Sequence, residues 1–380
     1  MKSVYVFPGQ GSQRRGMGAG LFERFPALVA EASAVLGYSL AELCLEDPQR
    51  VLGQTEYTQP ALYAVSALTY LDRLRGGEPA PDFVAGHSLG EYGALFAAGA
   101  FDFATGLRLV QHRGALMSRA PRGAMAAVVH LELERVRELL AGLALPGIDV
   151  ANINSRTQCI LSGAYDELNA PALREAMTAA GGAFVPLNVS AAFHSRCMAG
   201  VQDEFARFLT TITLAPLQRT VIANCTARPY PVTGYAELLA RQIVSPVRWY
   251  ESMSWLIHHG HRTFQELGPG NVLSKLSDKI LAEPMAIAPE STPAPAIAPP
   301  ARRAGPRRVF MYGGQGTQYV QMGRQLYDTS AVFRTAFERG SAAYEAISGL
   351  SLVEAVYPER GPARGPERGP ARGSARPLDD

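Results

Sequence analysis

The chain has 380 residues, 47% of them apolar, and a formal net charge of +2. That is enough apolar material for a large packed core, and the near-neutral balance supplies no basic face of the kind that grips nucleic acid. No apolar run approaches the roughly 18 residues of a membrane span, and the opening "MKSVYVFPGQGSQ" lacks the make-up of a signal peptide.

Taken in chain order, "SVYVF" reads as a strand, and "LFERFPALVAEASAVL" and "QPALYAVSALTYLDRL" have helical apolar spacing. "DFVAG" is a short strand running into His87-Ser88, and "LGEYGALFAAGA" follows as a helix. This alternation predicts a largely parallel sheet. From Ala124 the pattern changes. "AMAAVVH", "LERVRELLAGL", "IDVANIN", "QCILSGA", "ELNAPALREAMTAAG" and "AFVPLNV" read β-α-β-β-α-β, the order of a ferredoxin-like unit. The fold class expected is α/β: an α/β-hydrolase-like domain with a parallel central sheet, carrying an inserted ferredoxin-like subdomain. The large domain takes residues 1–123 and 191–282, and the insert residues 124–190.

Residues 283–306 are dense in Pro and Ala and read as a linker. "VFMYGGQGTQYVQMGRQLY" (Val309–Tyr327) then realigns without gaps on "VYVFPGQGSQRRGMGAGLF" (Val4–Phe22). Gln315 falls on Gln10, Met322 on Met17 and Gly323 on Gly18. Residues 307–357 hold no second G-x-S-x-G, so they read as the opening of a second domain of the same kind. Residues 358–380 repeat Gly-Pro and Arg and read as disordered.

"GHSLG" (Gly86–Gly90) is a G-x-S-x-G between a strand and a helix. Such an elbow presents its serine at the helix N-terminus, where unpaired N–H groups and the positive dipole end favour developing negative charge. Gly86 and Gly90 would remove side chains that collide across the turn. Ser88 is the candidate nucleophile and His194 its candidate base. His87 adjoins the nucleophile and is expected to point elsewhere; His112 lies in a helix, and His130 ends a strand of the insert. "HHGH" (His258, His259, His261) lacks an acidic or cysteine partner at ligand spacing and reads as a solvated helix end. The four cysteines, Cys44, Cys159, Cys197 and Cys225, form neither a C-x-x-C pair nor a zinc pattern, and read as reduced thiols of a cytoplasmic protein. Asp102, Asp149 and Asp166 lie between Ser88 and His194, but none stands in a convincing position for a triad acid. The Gly9-Gln10-Gly11 turn leaves free N–H groups at the sheet edge, where an oxyanion hole could form with the N–H of Leu89.

Five motifs in this order, "FPGQGSQ", "GHSLGEY", "QHRGALM", "FHS" and "ELGPGNVL", resemble the malonyl-CoA:acyl-carrier-protein transacylases over Met1 to about Ile280. The resemblance implies a Ser88–His194 dyad whose histidine is oriented by the main-chain carbonyl of Gln242, and oxyanion donors at the N–H groups of Gln10 and Leu89. It implies that Arg113 holds the free carboxylate of a malonyl group, as a planar guanidinium can, and that Phe193 favours malonyl over methylmalonyl. The partners implied are malonyl-CoA and a phosphopantetheinylated acyl carrier protein, in polyketide or fatty acid synthesis, with no metal, no other cofactor, no nucleic acid and no membrane. A monomer is expected. The Pro-rich linker and partial second copy resemble the stand-alone, trans-acting acyltransferases of polyketide clusters. Two alternatives stand beside this: an acyl hydrolase that clears stalled carrier proteins, and a non-catalytic docking module.

Overall fold

A computed structural model describes residues 3–283, 322–348 and 350–357. The expected linker apart from Glu283, residues 307–321 of the expected second copy, and the tail beyond residue 357 lie outside the described residues. The chain divides into two compact units, Met1–Arg302 and Arg303–Asp380.

The first unit is a mixed α/β fold with two four-stranded sheets. Strands β1 (Val4–Phe7), β2 (Phe83–Gly86), β7 (Thr220–Ile222) and β8 (Phe264–Glu266) pair in the order β7-β2-β1-β8, all parallel. Strands β3 (Gly123–Val129), β4 (Ile148–Ser155), β5 (Gln158–Ala164) and β6 (Ala183–Pro186) pair in the order β4-β5-β3-β6, all antiparallel. Strand β1 is wholly buried, as a strand covered on both faces must be.

Helices α1 (Pro26–Leu36), α2 (Leu40–Leu45), α3 (Thr55–Arg75), α4 (Gly90–Ala97) and α5 (Phe103–Ser118) precede the second sheet. Their apolar faces build the main core with β1 and β2, around Phe7, Leu62, Tyr63, Leu95 and Leu107. Helices α6 (Leu133–Gly142), α7 (Tyr165–Leu168) and α8 (Pro171–Ala179) belong to the antiparallel unit and close its own small core around Val128, Leu161 and Met177. Helices α9 (Ala199–Leu209), α10 (Ala236–Arg241), α11 (Trp249–His258) and α12 (Val272–Ala282) complete the unit.

Prolines redraw three of the expected helices. "LFERFPALVAEASAVL" breaks before Pro26: Phe25 sits at φ −131°, ψ 51°, outside the helical region that a following proline disfavours. "ELNAPALREAMTAAG" breaks in the same way at Ala170, and α8 opens with Pro171 in its first turn. Helix α3 starts at Thr55 rather than Gln59 and carries Pro60 inside it; Pro60 cannot donate to the Glu56 carbonyl and crowds it, and the turn ahead is held instead by the burial of Thr55, Thr58 and Gln59.

In the second unit, α13 (Arg324–Thr329), α14 (Ala331–Ser348) and α15 (Leu352–Val356) are described. Tyr327, Phe337 and Tyr357 cluster, and the Tyr357 hydroxyl donates to the Met322 carbonyl at 2.9 Å. Ser351 caps α15 by accepting from Glu354 N–H, as Ser39 caps α2 by accepting from Glu42 N–H. The echo of "GYSLAELCL" in "GLSLVEAVY" carries the repeat to Tyr357. Among the described residues no helix is long and apolar enough to cross a membrane.

Candidate active site

Three strands of the parallel sheet deliver their next residues to one edge: Gln10 after β1, Ser88 after β2 and Asn224 after β7. Outside the carboxyl ends of parallel strands is where α/β sheets bind ligands. The elbow between β2 and α4 is as tight as its sequence demands. A Cβ on Gly86 would lie 2.0 Å from the Gly90 carbonyl, and one on Gly90 would lie 1.9 Å from the Phe7 carbonyl oxygen. Ser88 has φ +52°. For a residue with a Cβ that costs on the order of 1–3 kcal/mol, so the surroundings must hold it. They do so at both ends of the residue: Asn224 Oδ1 accepts Ser88 N–H at 2.7 Å, and Gln242 Nε2 donates to the Ser88 carbonyl at 2.8 Å.

Ser88 Oγ lies 2.7 Å from His194 Nε2. His194 Nδ1 faces two carbonyl oxygens, Gln242 at 3.0 Å and Ser245 at 3.1 Å. Carbonyls only accept, so Nδ1 carries the proton and Nε2 is free to take one from the serine. Burial, and then the charge of Arg113, push the imidazole down to about 3, which keeps it neutral. No aspartate reaches it in the described structure. Asp102 caps α5 by accepting from Thr105 N–H, Asp149 pairs with Arg196, and Asp166 sits in the short α7.

Arg113, on α5, is 1% exposed. Its NH1 donates to Gln59 Oε1 at 2.7 Å and its NH2 to Gln242 Oε1 at 3.0 Å, while NH2 also stands 3.4 Å from Ser88 Oγ. A buried guanidinium with neutral partners, aimed at Ser88 Oγ, has charge left for an anion. Ser88, His194, Arg113, Gln10, Leu89 and Phe193 line a single pocket of about 100 Å³. Met117, Met125, Leu187 and Val189 give it an apolar wall. Gln242 lies behind Arg113 and His194, fully buried.

Two expectations about histidines are corrected. His87 does not point away: it lines the same pocket, with Nε2 2.9 Å from Asn154 Oδ1 and its ring against Trp249. The "HHGH" run is only partly solvated. His259 is exposed and stacks on Trp255, but His261 is buried beside the Phe83 ring, where an apolar neighbour outweighs water. Among the described residues no group of acidic, His or Cys side chains could hold a metal ion.

A family model described as an acyl transferase domain matches residues 4–301. The polyketide biosynthesis malonyl CoA-acyl carrier protein transacylase PksC of Bacillus subtilis is 50% identical over 278 residues, covering 73% of this chain and 96% of that protein. The chain belongs to the malonyl-CoA:acyl-carrier-protein transacylase family. A solved transacylase of this kind from Burkholderia pseudomallei is 45% identical at a TM-score of 0.71, matching 77% of this chain and 100% of that one. A malonyl-transacylase solved in complex with its type II acyl-carrier protein is 36% identical at a TM-score of 0.70, matching 74% of this chain and 93% of that one.

Three residues that hold this transacylase site together escaped the sequence reading: Gln59, Glu91 and Asn224. Glu91 left a signal, a lone carboxylate in the otherwise apolar "LGEYGALFAAGA". Asn224 left a weaker one, a polar residue two places past the buried run of β7. Gln59 resembles any polar residue near a helix start.

Proposed function

We propose that this chain transfers a malonyl group from CoA to the phosphopantetheine thiol of an acyl carrier protein, in polyketide assembly, by a ping-pong mechanism through Ser88. The observation that carries the reading is the convergence on Ser88 Oγ of a neutral imidazole at 2.7 Å and a buried guanidinium at 3.4 Å. A base next to a fixed cation suits an acyl group that bears its own carboxylate.

Ser88 Oγ attacks the thioester carbonyl while His194 Nε2 takes its proton. We assign the oxyanion to the N–H groups of Gln10 and Leu89, both of which line the pocket beside Ser88. The C–S bond breaks, CoA leaves with the proton from His194, and a malonyl ester remains on Ser88. The carrier thiol then gives its proton to His194, attacks the ester and restores the serine. Arg113 holds the malonyl carboxylate throughout. That carboxylate also offsets the charge that weakens His194 as a base, so the correct substrate strengthens the group that activates its attacker. Phe193, 6% exposed beside His194, narrows the space for a substituent on the malonyl α-carbon.

In finer terms we read the parallel sheet with its serine elbow as α/β-hydrolase-like. The antiparallel unit, with order β4-β5-β3-β6 and two helices, is read as ferredoxin-like. We keep the domain limits at 1–123 with 191–282, and 124–190; the second sheet runs from Gly123 to Pro186, which supports an insert of about that extent. The four cysteines are unpaired, in keeping with a reducing compartment.

The test is transfer. Purified protein is loaded with malonyl-CoA, freed of excess, and mixed with a holo carrier protein. The malonyl group is expected on the carrier's thiol. Malonate released to water with none on the carrier would replace this reading with an acyl hydrolase. No loading at all would leave a docking module.

A further inference from the structure

Behind the pocket lies a carboxylate that the mechanism above does not use. Glu91, in the first turn of α4, is fully buried in a helix whose other residues are Gly, Ala, Leu, Phe and Tyr. Its Oε1 accepts the Asn224 backbone N–H at 3.0 Å, and its Oε2 accepts from Gln242 Nε2. These two partners are the residues whose side chains grip Ser88 N–H and C=O. Gln242 also turns its Oε1 to Arg113 NH2 at 3.0 Å.

We propose that Glu91 is a positioning residue for substrate selection: through the Gln242 side-chain amide it fixes the Arg113 fork in the orientation that receives the malonyl carboxylate. The inference rests on the function proposed above.

The argument is one of hydrogen-bond polarity. The two ends of a glutamine amide have nearly the same shape and opposite character: one only donates and the other only accepts. A carboxylate beside it removes the ambiguity, because an ionised carboxylate can only accept. With Nε2 committed to Glu91 and the Ser88 carbonyl, Oε1 must face Arg113. Reversed, the amide would set N–H against N–H at the arginine and oxygen against oxygen at Glu91. Burial pushes the Glu91 carboxyl up and the N–H donors on both oxygens pull it back toward the charged form, leaving it raised to about 7.

The indirect route has a consequence for the substrate. A carboxylate bonded directly to Arg113 would occupy the fork that must bind malonyl. With the negative charge placed one amide away, Arg113 is held by neutral oxygens from Gln59 and Gln242, and NH2 remains turned toward Ser88 Oγ. Buried charge is compensated at a distance while the binding edge stays open.

Glu91→Gln is the direct test, since it keeps the shape and makes one end of the side chain a donor. Either orientation of the new amide sets a donor against Asn224 N–H or against Gln242 Nε2. Acylation of Ser88 by malonyl-CoA and by acetyl-CoA is measured separately for wild type, Glu91→Gln, Gln242→Met and the double variant. Malonyl kcat/KM is expected to fall on the order of tenfold, mainly through KM, as one mispaired buried donor would produce. Acetyl acylation is expected to change less than about threefold, because the Glu91 backbone N–H still holds the Ser88 carbonyl at 3.0 Å. The double variant should be no worse than Gln242→Met alone, since both act through one contact. If Glu91→Gln does not fold, Glu91→Asp is read in its place: it keeps an acceptor-only carboxylate but draws it one methylene back from Gln242 Nε2, and the malonyl-to-acetyl ratio should fall in the same direction. Equal losses for both substrates, or losses that multiply in the double variant, would overturn the inference. Wild type that takes acetyl-CoA as readily as malonyl-CoA would instead overturn the reading of Arg113 on which it rests. Wild type that prefers malonyl, with Glu91→Gln keeping that preference whole, overturns the Glu91 inference alone.

Discussion

The two sheets of the first unit contribute to one pocket in different ways. The parallel sheet supplies chemistry: the turns after β1, β2 and β7 bring Gln10, Ser88 and Asn224 to one edge, each on backbone held by neighbouring strands. The antiparallel sheet supplies shape: Met125 from β3, Asn152 from β4, and Leu187 and Val189 just past β6 form a wall that is mostly apolar. Parallel strands all end on the same side, so their turns can converge on a point. Antiparallel strands end on alternating sides, and what they offer a ligand is a face. Catalysis should therefore fail steeply when the first region is changed and shallowly when the second is.

The largest loss is expected at the base. His194→Ala should slow Ser88 acylation on the order of 10²–10⁴-fold, the usual worth of a positioned general base. A stopped-flow loss below tenfold would show that the elbow activates its serine without the imidazole.

Arg113→Ala comes next and should be selective. Leaving a carboxylate without its buried partner costs on the order of 2–5 kcal/mol, which is tens- to thousands-fold in malonyl kcat/KM. Acetyl-CoA, with no carboxylate to place, should lose far less. Equal losses would make Arg113 a structural residue of the elbow.

The pH dependence separates this base from an ordinary histidine. With its pKa held down near 3, His194 is the free base at every pH above that value. The rate of Ser88 acylation by limiting acetyl-CoA, which reads the free enzyme and brings no carboxylate to Arg113, should then stay level from pH 8 to pH 5. A histidine titrating at about 6.5 would be protonated across that window and lose roughly thirtyfold by pH 5. An inflection near 6.5 would mean that the site is wetter, or Arg113 more distant, than the geometry has it.

The smallest effect belongs to the rim and the insert. Asp149, on β4, pairs with the largely exposed Arg196, and such pairs contribute about 0–1 kcal/mol. Asp149→Asn should change turnover by less than about threefold, and Asp102→Asn should cost only helix-cap stability, read as a small drop in Tm. A loss near 10⁴-fold at either would reinstate a triad acid and dissolve the contrast between the two regions.

How much of this was legible in the sequence follows the range of the interactions. The long strands and the elbow are local patterns, and "SVYVF", "DFVAG" and the strands of the insert are found where periodicity puts them. Strands β7 and β8 are three residues each, too short to show any period. Helix breaks at Phe25 and Ala170 were written in the proline that follows each, a local rule outweighed by the longer apolar pattern. At the site, Ser88, His194 and Arg113 stood out by motif. Gln59, Glu91 and Asn224 did not, because their roles exist only in hydrogen bonds across 54 to 151 residues of chain. His87 was placed wrongly for a related reason: at φ +52° Ser88 turns the chain so sharply that its neighbour shares the pocket instead of leaving it.

The central claim is that a malonyl group rests on Ser88 between the two half-reactions. The direct measurement is mass mapping of the protein quenched in acid after brief mixing with malonyl-CoA, beside a parallel sample mixed with acetyl-CoA. The account predicts a malonyl ester on the peptide that contains Ser88, in stoichiometric yield, with acetyl loading slower and less complete. Malonyl on any other residue, or transfer to the carrier protein by a Ser88→Ala variant at an undiminished rate, would contradict it.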